Sequence, residues 1–234
     1  MALALMHASM NVLAAAGADS AHKAPVDLSD KQSLQRGAGL FANYCISCHS
    51  AKFMRYERMA LDIGIPENVL RENFMFGTDK PGDTMTVAMS PAAAETWFGV
   101  APPDLSLTAR SRGADWIYSY LLGYYRDPER PTGTNNLQYP DTAMPHVLWE
   151  LQGIPEPVMD DEGRKVVATA VDEPGKLSEN EYAQSVADIV NYMVYIAEPA
   201  QLKRTAVGFW VIFYLLIFLV VVYLLKREYW KDIH

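Results

Sequence analysis

Two regimes of hydrophobic patterning divide this chain. Up to about residue 197 apolar side chains recur at three- and four-residue steps between polar loops, whereas Ala206 to Leu225 is an unbroken apolar run. In the first regime Leu34, Ala38, Phe41 and Cys45 share one helical face, and Ser29 and Gln32 have the spacing of a capping box ahead of it. Gly37 and Gly39 on the same stretch leave room for a second helix to approach closely. A partner is readable near residue 180. Ser178 and Glu181 form a capping box, Val186, Ile189, Val190, Met193, Val194 and Ala197 follow on one face, and Pro199 closes the helix. A third helix is expected from about Ala114 to Leu122, stopped by Gly123, and a shorter one starts at Pro66 and carries Val69, Leu70 and Phe74. The fold class this predicts is all-α, a small helical domain with long loops.

The second regime has a different physics. Twenty uncharged residues in a helix span roughly 30 Å, the thickness of a bilayer's hydrocarbon core. Lys203 and Arg204 flank the run on one side, Lys226 and Arg227 on the other, and Trp210, Tyr223, Tyr229 and Trp230 sit where an interfacial aromatic belt belongs. This is a single C-terminal transmembrane helix. Residues 1–18 are small and apolar, and Ala14 to Ala18 offers small-x-small cleavage sites, so they read as an export signal, although no basic residue precedes Lys23. The expected organisation is an export segment over 1–18, a soluble domain over 19–200, an anchor over 201–225 and a tail over 226–234. The excess of cations after the span places that tail in the cytoplasm and the domain on the periplasmic side of a bacterial inner membrane.

Composition narrows the function. With 20 Lys+Arg against 28 Asp+Glu the chain carries a net charge of −8, which excludes a nucleic-acid footprint. The imbalance is local: between Glu150 and Glu198 eleven acids face three bases, among them the runs Asp160-Asp161-Glu162 and Asp172-Glu173. Such a segment is either a docking surface for a cationic partner or a solvated face. Cys45 and Cys48 are the only cysteines, so a multi-disulfide scaffold is excluded.

Those two cysteines carry the chemistry. Cys45-Ile46-Ser47-Cys48-His49 is C-x-x-C-H, the attachment motif of c-type haem. Two thiols three positions apart reach the two vinyl groups of one porphyrin, and the adjoining imidazole meets the iron from one face. A thioredoxin-like dithiol needs a βαβ context, whereas the flanks here are helical. A structural zinc site needs four ligands, and a simple disulfide loop leaves His49 unexplained. The predicted cofactor is therefore one covalently bound haem c. A thioether sulfur as sixth ligand stabilises Fe(II), which suits an electron carrier. Of eleven methionines, Met144 lies in a loop far downstream of the motif, with Pro145 pushing it towards extended backbone. Met85, Met89 and His146 remain alternatives on this reasoning.

The segments CISCHS, APPDLS (residues 101–106), Arg110-Ser111-Arg112, an L-x-G-Y stretch, AMP (residues 143–145) and one C-terminal span together resemble the cytochrome c1 family of the cytochrome bc1 complex. The resemblance runs from about Asp27 to the end of the chain. It implies Cys45 and Cys48 as thioether cysteines, His49 as proximal ligand and Met144 as distal ligand. It implies Pro103 packed beside the imidazole and Arg112, with Arg110 next to it, at a haem propionate, which when buried needs a cationic partner. Trp116 stands where the mitochondrial pattern has a tyrosine. The function implied is electron transfer within quinol–cytochrome c oxidoreductase, from a Rieske iron–sulfur protein to a cytochrome c, beside cytochrome b in a dimeric complex, with no catalytic chemistry of the chain's own. Two other functions fit the same motifs: a free-standing membrane-anchored shuttle to a terminal oxidase, and a tethered haem sensor with a displaceable distal ligand.

Overall fold

A computed structural model describes residues 20–231, apart from 88, 161–162, 164 and 168–173, and describes only the backbone of 165–167 and 205. The expected export segment, the last three residues of the tail, and Asp161, Glu162, Asp172 and Glu173 of the acidic runs lie outside the described residues. The chain falls into two compact units, one ending at Ala197 and one starting at Glu198.

The first unit runs α1 (Lys31–Tyr44), β1 (Ala51–Arg55), α2 (Tyr56–Ile63), α3 (Glu67–Asn73), β2 (Thr84–Met85), α4 (Pro91–Phe98), α5 (Thr108–Ser111) and α6 (Ala114–Leu122). It continues with β3 (Tyr124–Arg126), β4 (Thr134–Asn136), α7 (Trp149–Gln152), β5 (Pro157–Met159), β6 (Lys165–Val167) and α8 (Glu179–Ala197). The expected helical domain with long loops is borne out. The sequence pattern missed three two-stranded antiparallel ribbons, β1–β2, β3–β4 and β5–β6. Strands of two to five residues are too short to display a period of two.

Helix α1 is capped by Asp30, whose carboxylate accepts from the Ser33 amide at 3.0 Å. Ser29, the expected cap, instead donates through its amide and hydroxyl to Asp27 Oδ1. Two acids flank that serine, and a carboxylate takes the cap more strongly than a hydroxyl can. At α8 the expected capping box forms as read: Ser178 N and Oγ both donate to Glu181 Oε2, at 2.9 and 2.7 Å.

The core is the crossing of α1 on α8, the most extensive contact between elements, with α6 also packed on α8. Leu34, Ala38 and Phe41 of α1 meet Val186, Ile189, Val190 and Tyr192 of α8, all essentially inaccessible. Gly37 is the point of closest approach. A Cβ there would lie 2.0 Å from the Asp188 carbonyl oxygen and 2.9 Å from Tyr192 Cβ, whereas at Gly39 nothing lies within 4 Å. Only Gly37 therefore has the role expected of both glycines. A buried acid is tied into the same seam. Asp188 accepts from Ser33 Oγ at 2.7 Å, from Arg36 Nε at 2.6 Å and Nη2 at 3.0 Å, and from Gln184 Nε2 at 3.1 Å, so its charge is fully compensated.

The second unit is α9 (Gln201–Tyr229), a helix of 29 residues with an ion pair from Arg204 to Glu198 at its start. Its apolar side chains from Val207 to Leu225 are exposed, and it is the one described helix long and apolar enough to cross a membrane. Of the eleven acids of the 150–198 segment, Glu150, Glu156, Asp188 and Glu198 are paired with Lys176, Arg126, Arg36 and Arg204, and the three arginines, which lie outside the segment, offset three of its eight surplus charges.

Candidate functional site

The C-x-x-C-H motif is the unwinding end of α1. The Cys45 amide still donates to the Phe41 carbonyl, and the amides of Cys48 and His49 both turn back on the Cys45 carbonyl, at 3.1 and 2.8 Å. This single turn presents both half-buried thiols, which are free rather than disulfide-bonded. Burial pushes the Cys45 thiol up to about 12, with Cys48 adding to the shift, so the free thiol is protonated at neutral pH. Because α1 is seated on α8 through Gly37 and Phe41, the position of the motif is inherited from the core.

His49 is buried and oriented. Its Nδ1 lies 2.7 Å from the Pro103 carbonyl oxygen, which can only accept, so Nδ1 carries the proton and Nε2 keeps its lone pair. That tautomer is the one a metal-binding imidazole needs, and the carbonyl partner also fixes the ring plane. Burial lowers the imidazole's affinity for a second proton, partly opposed by the Pro103 bond. The proline is held in turn. Asp104 Oδ1 accepts from the Ser106 amide in an Asx turn, Asp104 Oδ2 accepts from the Lys52 amide, and the Leu105 amide donates to the Ser50 carbonyl at 2.7 Å. Ser106 Oγ accepts from the Phe53 amide at 3.1 Å. The segments 50–53 and 103–106 are thus stitched together directly after His49. Sequence reasoning had Pro103 as a packing residue; its carbonyl and the Asp104–Ser106 turn were missed, though the D-x-S spacing is a legible turn signal.

Met144 is half-buried and packs against the core, with its backbone carbonyl 3.2 Å from the Tyr124 hydroxyl. Of the alternatives, Met85 is buried in β2, its sulfur accepting from the Tyr192 hydroxyl at 3.5 Å beside that of Met59 at 3.0 Å. Met89 is half-buried in the loop before α4. His146 is buried and stacks on Tyr124 with ring centroids 4.8 Å apart; burial lowers its pKa to about 4. Arg110 and Arg112 are exposed, and neither has an ion-pair partner among the described residues. The Arg112 guanidinium lies over Trp116, 4.9 Å from its ring centroid.

These residues fit a covalently bound haem. Two free thiols on one turn and an imidazole with a fixed tautomer and a spare lone pair supply what thioethers and iron require, and Arg110 and Arg112, exposed and without an ion-pair partner among the described residues, offer cations for propionates. A helical domain with this constellation is a c-type cytochrome. The description "Cytochrome C1 family" matches residues 20–233. A cytochrome c1 of Allochromatium vinosum is 46% identical over all of this chain and 98% of its own length. A cytochrome c1 of Rhodospirillum rubrum is 30% identical, with 98% of this chain and 97% of that protein covered. A Nitrosomonas europaea protein named as an ammonia monooxygenase gamma subunit is 48% identical over 91% of this chain and 88% of its own. The chain belongs to the cytochrome c1 family, carries one covalent haem c, and is an electron-transfer subunit of the bc1 type.

Proposed function

We propose that this chain takes single electrons from a Rieske iron–sulfur protein and passes them to a cytochrome c, as a subunit of a dimeric quinol–cytochrome c oxidoreductase. In this reading Cys45 and Cys48 would hold the haem as thioethers, His49 and Met144 would ligate its iron, Pro103 would orient the His49 imidazole, and Arg112 with Arg110 would pair with the propionates. The bound haem supplies a reversible one-electron iron couple. The chain's own residues supply position and tuning: Pro103 holds a proton on His49 Nδ1, apolar packing keeps water away, and the thioether sulfur favours the reduced state. The observation that carries the reading is the 2.7 Å contact between His49 Nδ1 and the Pro103 carbonyl, directly beside two free cysteines.

The exposed apolar helix α9 supports a single-pass anchor in a bacterial inner membrane, in contact with lipid and with cytochrome b. The haem domain then sits on the periplasmic side, where thioethers are formed. Purification in mild detergent, with haem spectra and subunit identification, tests the assignment. Recovery with a cytochrome b and a Rieske protein is expected. Recovery alone favours a free-standing shuttle, and recovery with a monooxygenase favours the role that the name of the Nitrosomonas relative gives it. Carbon monoxide binding to the native reduced protein would instead indicate a sensor with an open distal site.

A further inference from the structure

We propose that Tyr124 is the positioning residue of the distal strap, its hydroxyl holding the backbone of Met144 and thereby setting how firmly the thioether stays on the iron. The inference rests on the reading of Met144 as distal ligand. It comes from the contacts of three buried hydroxyls. Tyr124 Oη lies 3.2 Å from the Met144 carbonyl oxygen and 2.8 Å from Tyr120 Oη, which lies 2.9 Å from Thr142 Oγ1. The Met144 carbonyl can only accept. The Tyr124 hydroxyl is the donor in both of its contacts, to the Tyr120 oxygen and to the Met144 carbonyl, and Tyr120 and Thr142 share a hydrogen bond that either can donate. The strap is therefore gripped at Thr142 and at Met144, on both sides of Ala143, by two phenols that belong to α6 and β3.

Neither phenol is free to swing. Tyr120 stacks on Trp116 at 5.2 Å with the planes 7° apart, Tyr124 meets Tyr120 edge-on at 5.4 Å, and the other neighbour of Tyr124 is the His146 ring. Tyr120, Tyr124 and Thr142 are all buried, where hydrogen bonds are stronger than in water. The strap is also forced at its entrance. Asp141 has φ of 62°, a left-handed conformation for a residue with a side chain. It is held there by Arg130, through Nη1 to its carboxylate at 2.9 Å and Nη2 to its carbonyl at 3.0 Å, and by Asn135 Oδ1, which accepts its amide at 2.9 Å. The surrounding structure thus imposes the conformation of this strap. A neutral thioether is a weak ligand, so its residence on iron depends on such preorganisation.

The test uses the full-length, haem-loaded protein. Tyr124→Phe keeps both ring contacts and removes the hydroxyl. Haem per protein should stay at the wild-type level, the midpoint potential should fall, and the carbon monoxide-reactive fraction of the reduced form should rise about fivefold to tenfold, as the loss of one buried hydrogen bond allows. Tyr120→Phe should move the same readouts less, because it releases Thr142 and removes one acceptor of Tyr124 but leaves the Tyr124 bond to the Met144 carbonyl in place; it carries the test if Tyr124→Phe does not assemble. Tyr118→Phe is the control. It deletes another tyrosine–carbonyl contact of α6, to Ala183, and should lower thermal stability without touching potential or carbon monoxide binding. Wild-type potential and carbon monoxide resistance in a folded Tyr124→Phe protein would overturn the proposal, as would an equal response of Tyr118→Phe. Met144→Ala separates the two levels. Survival of the far-red sulfur-to-iron band in that variant overturns the ligand reading and this proposal with it. Loss of the band there, with Tyr124→Phe unchanged, overturns the positioning role alone.

Discussion

Replacing Gly37 by alanine adds one methyl group at the place where the fold tolerates it least. The new carbon would sit 2.0 Å from the Asp188 carbonyl oxygen and 2.6 Å from its carbonyl carbon, both backbone atoms of α8. An ordinary contact needs about 3.4 Å or more, so α1 has to withdraw from α8 by roughly 1 Å, and gaps of about 0.5–1 Å already forfeit a quarter to a half of each dispersion contact. The seam that opens includes Leu34, Phe41, Val186, Ile189 and Tyr192, together with the Arg36–Asp188 pair. Overpacking of this kind costs about 1–3 kcal/mol, and the immobile backbone on the far side puts Gly37→Ala near the top of that range. The gain in helix propensity returns about 1 kcal/mol at most. A net loss of about 2 kcal/mol corresponds to a fall in Tm of roughly 4–8 °C for a domain of this size. The assay is thermal unfolding of the haem-loaded protein, followed by far-ultraviolet dichroism and by Soret absorbance. Gly39→Ala is the paired control: with open space around it, that change should be neutral or stabilising by up to about 1 kcal/mol. Equal melting of the two variants would refute the close approach as the reason for glycine at position 37. Since α1 ends in the haem-binding motif, the Soret transition of Gly37→Ala should shift along with the helical one.

Three further outcomes are expected. Arg112→Gln should keep haem attached and lower its potential by at most about 40 mV, because an exposed ion pair is worth about 1 kcal/mol at most; an unchanged potential with reduced stability would leave Arg112 only its contact with Trp116. Bonds from Ser178 hold the Glu181 carboxyl below its ordinary range, so its stabilisation of the first turn of α8 is complete above that range and is lost as the pH falls through the lowered folded-state value. The protection of the Ser178 and Glu181 amides, relative to their intrinsic exchange rates, should fall in acid in the native chain, and Glu181→Gln should abolish that loss of protection; a loss that persists in the variant would assign it to another group. A reporter fused after His234 should be cytoplasmic while protease reaches the haem domain only from the outer face, and an external reporter would reverse the topology.

The helices α1, α6 and α8, the capping box at Ser178, the attachment motif and the apolar span were all legible in the sequence, because each is encoded by residues within a few positions of one another. Periodicity, cap spacing and C-x-x-C-H are local patterns, and local physics reads them. The cap of α1 shows how narrow that reading is: Ser29 and Asp30 are adjacent, and the choice between them depended on Asp27 drawing the serine into its own turn. What only the tertiary structure decided is whatever joins distant segments. It distinguished Gly37 from Gly39, since two glycines on one helix differ only in what the opposing helix brings near them. It supplied the carbonyl of Pro103 to His49 across 54 positions and so chose the imidazole tautomer. It brought Tyr120 and Tyr124 against Thr142 and Met144, a chain of hydroxyls with no signature along the sequence, because hydrogen bonds across a fold depend on distances that the order of residues does not contain.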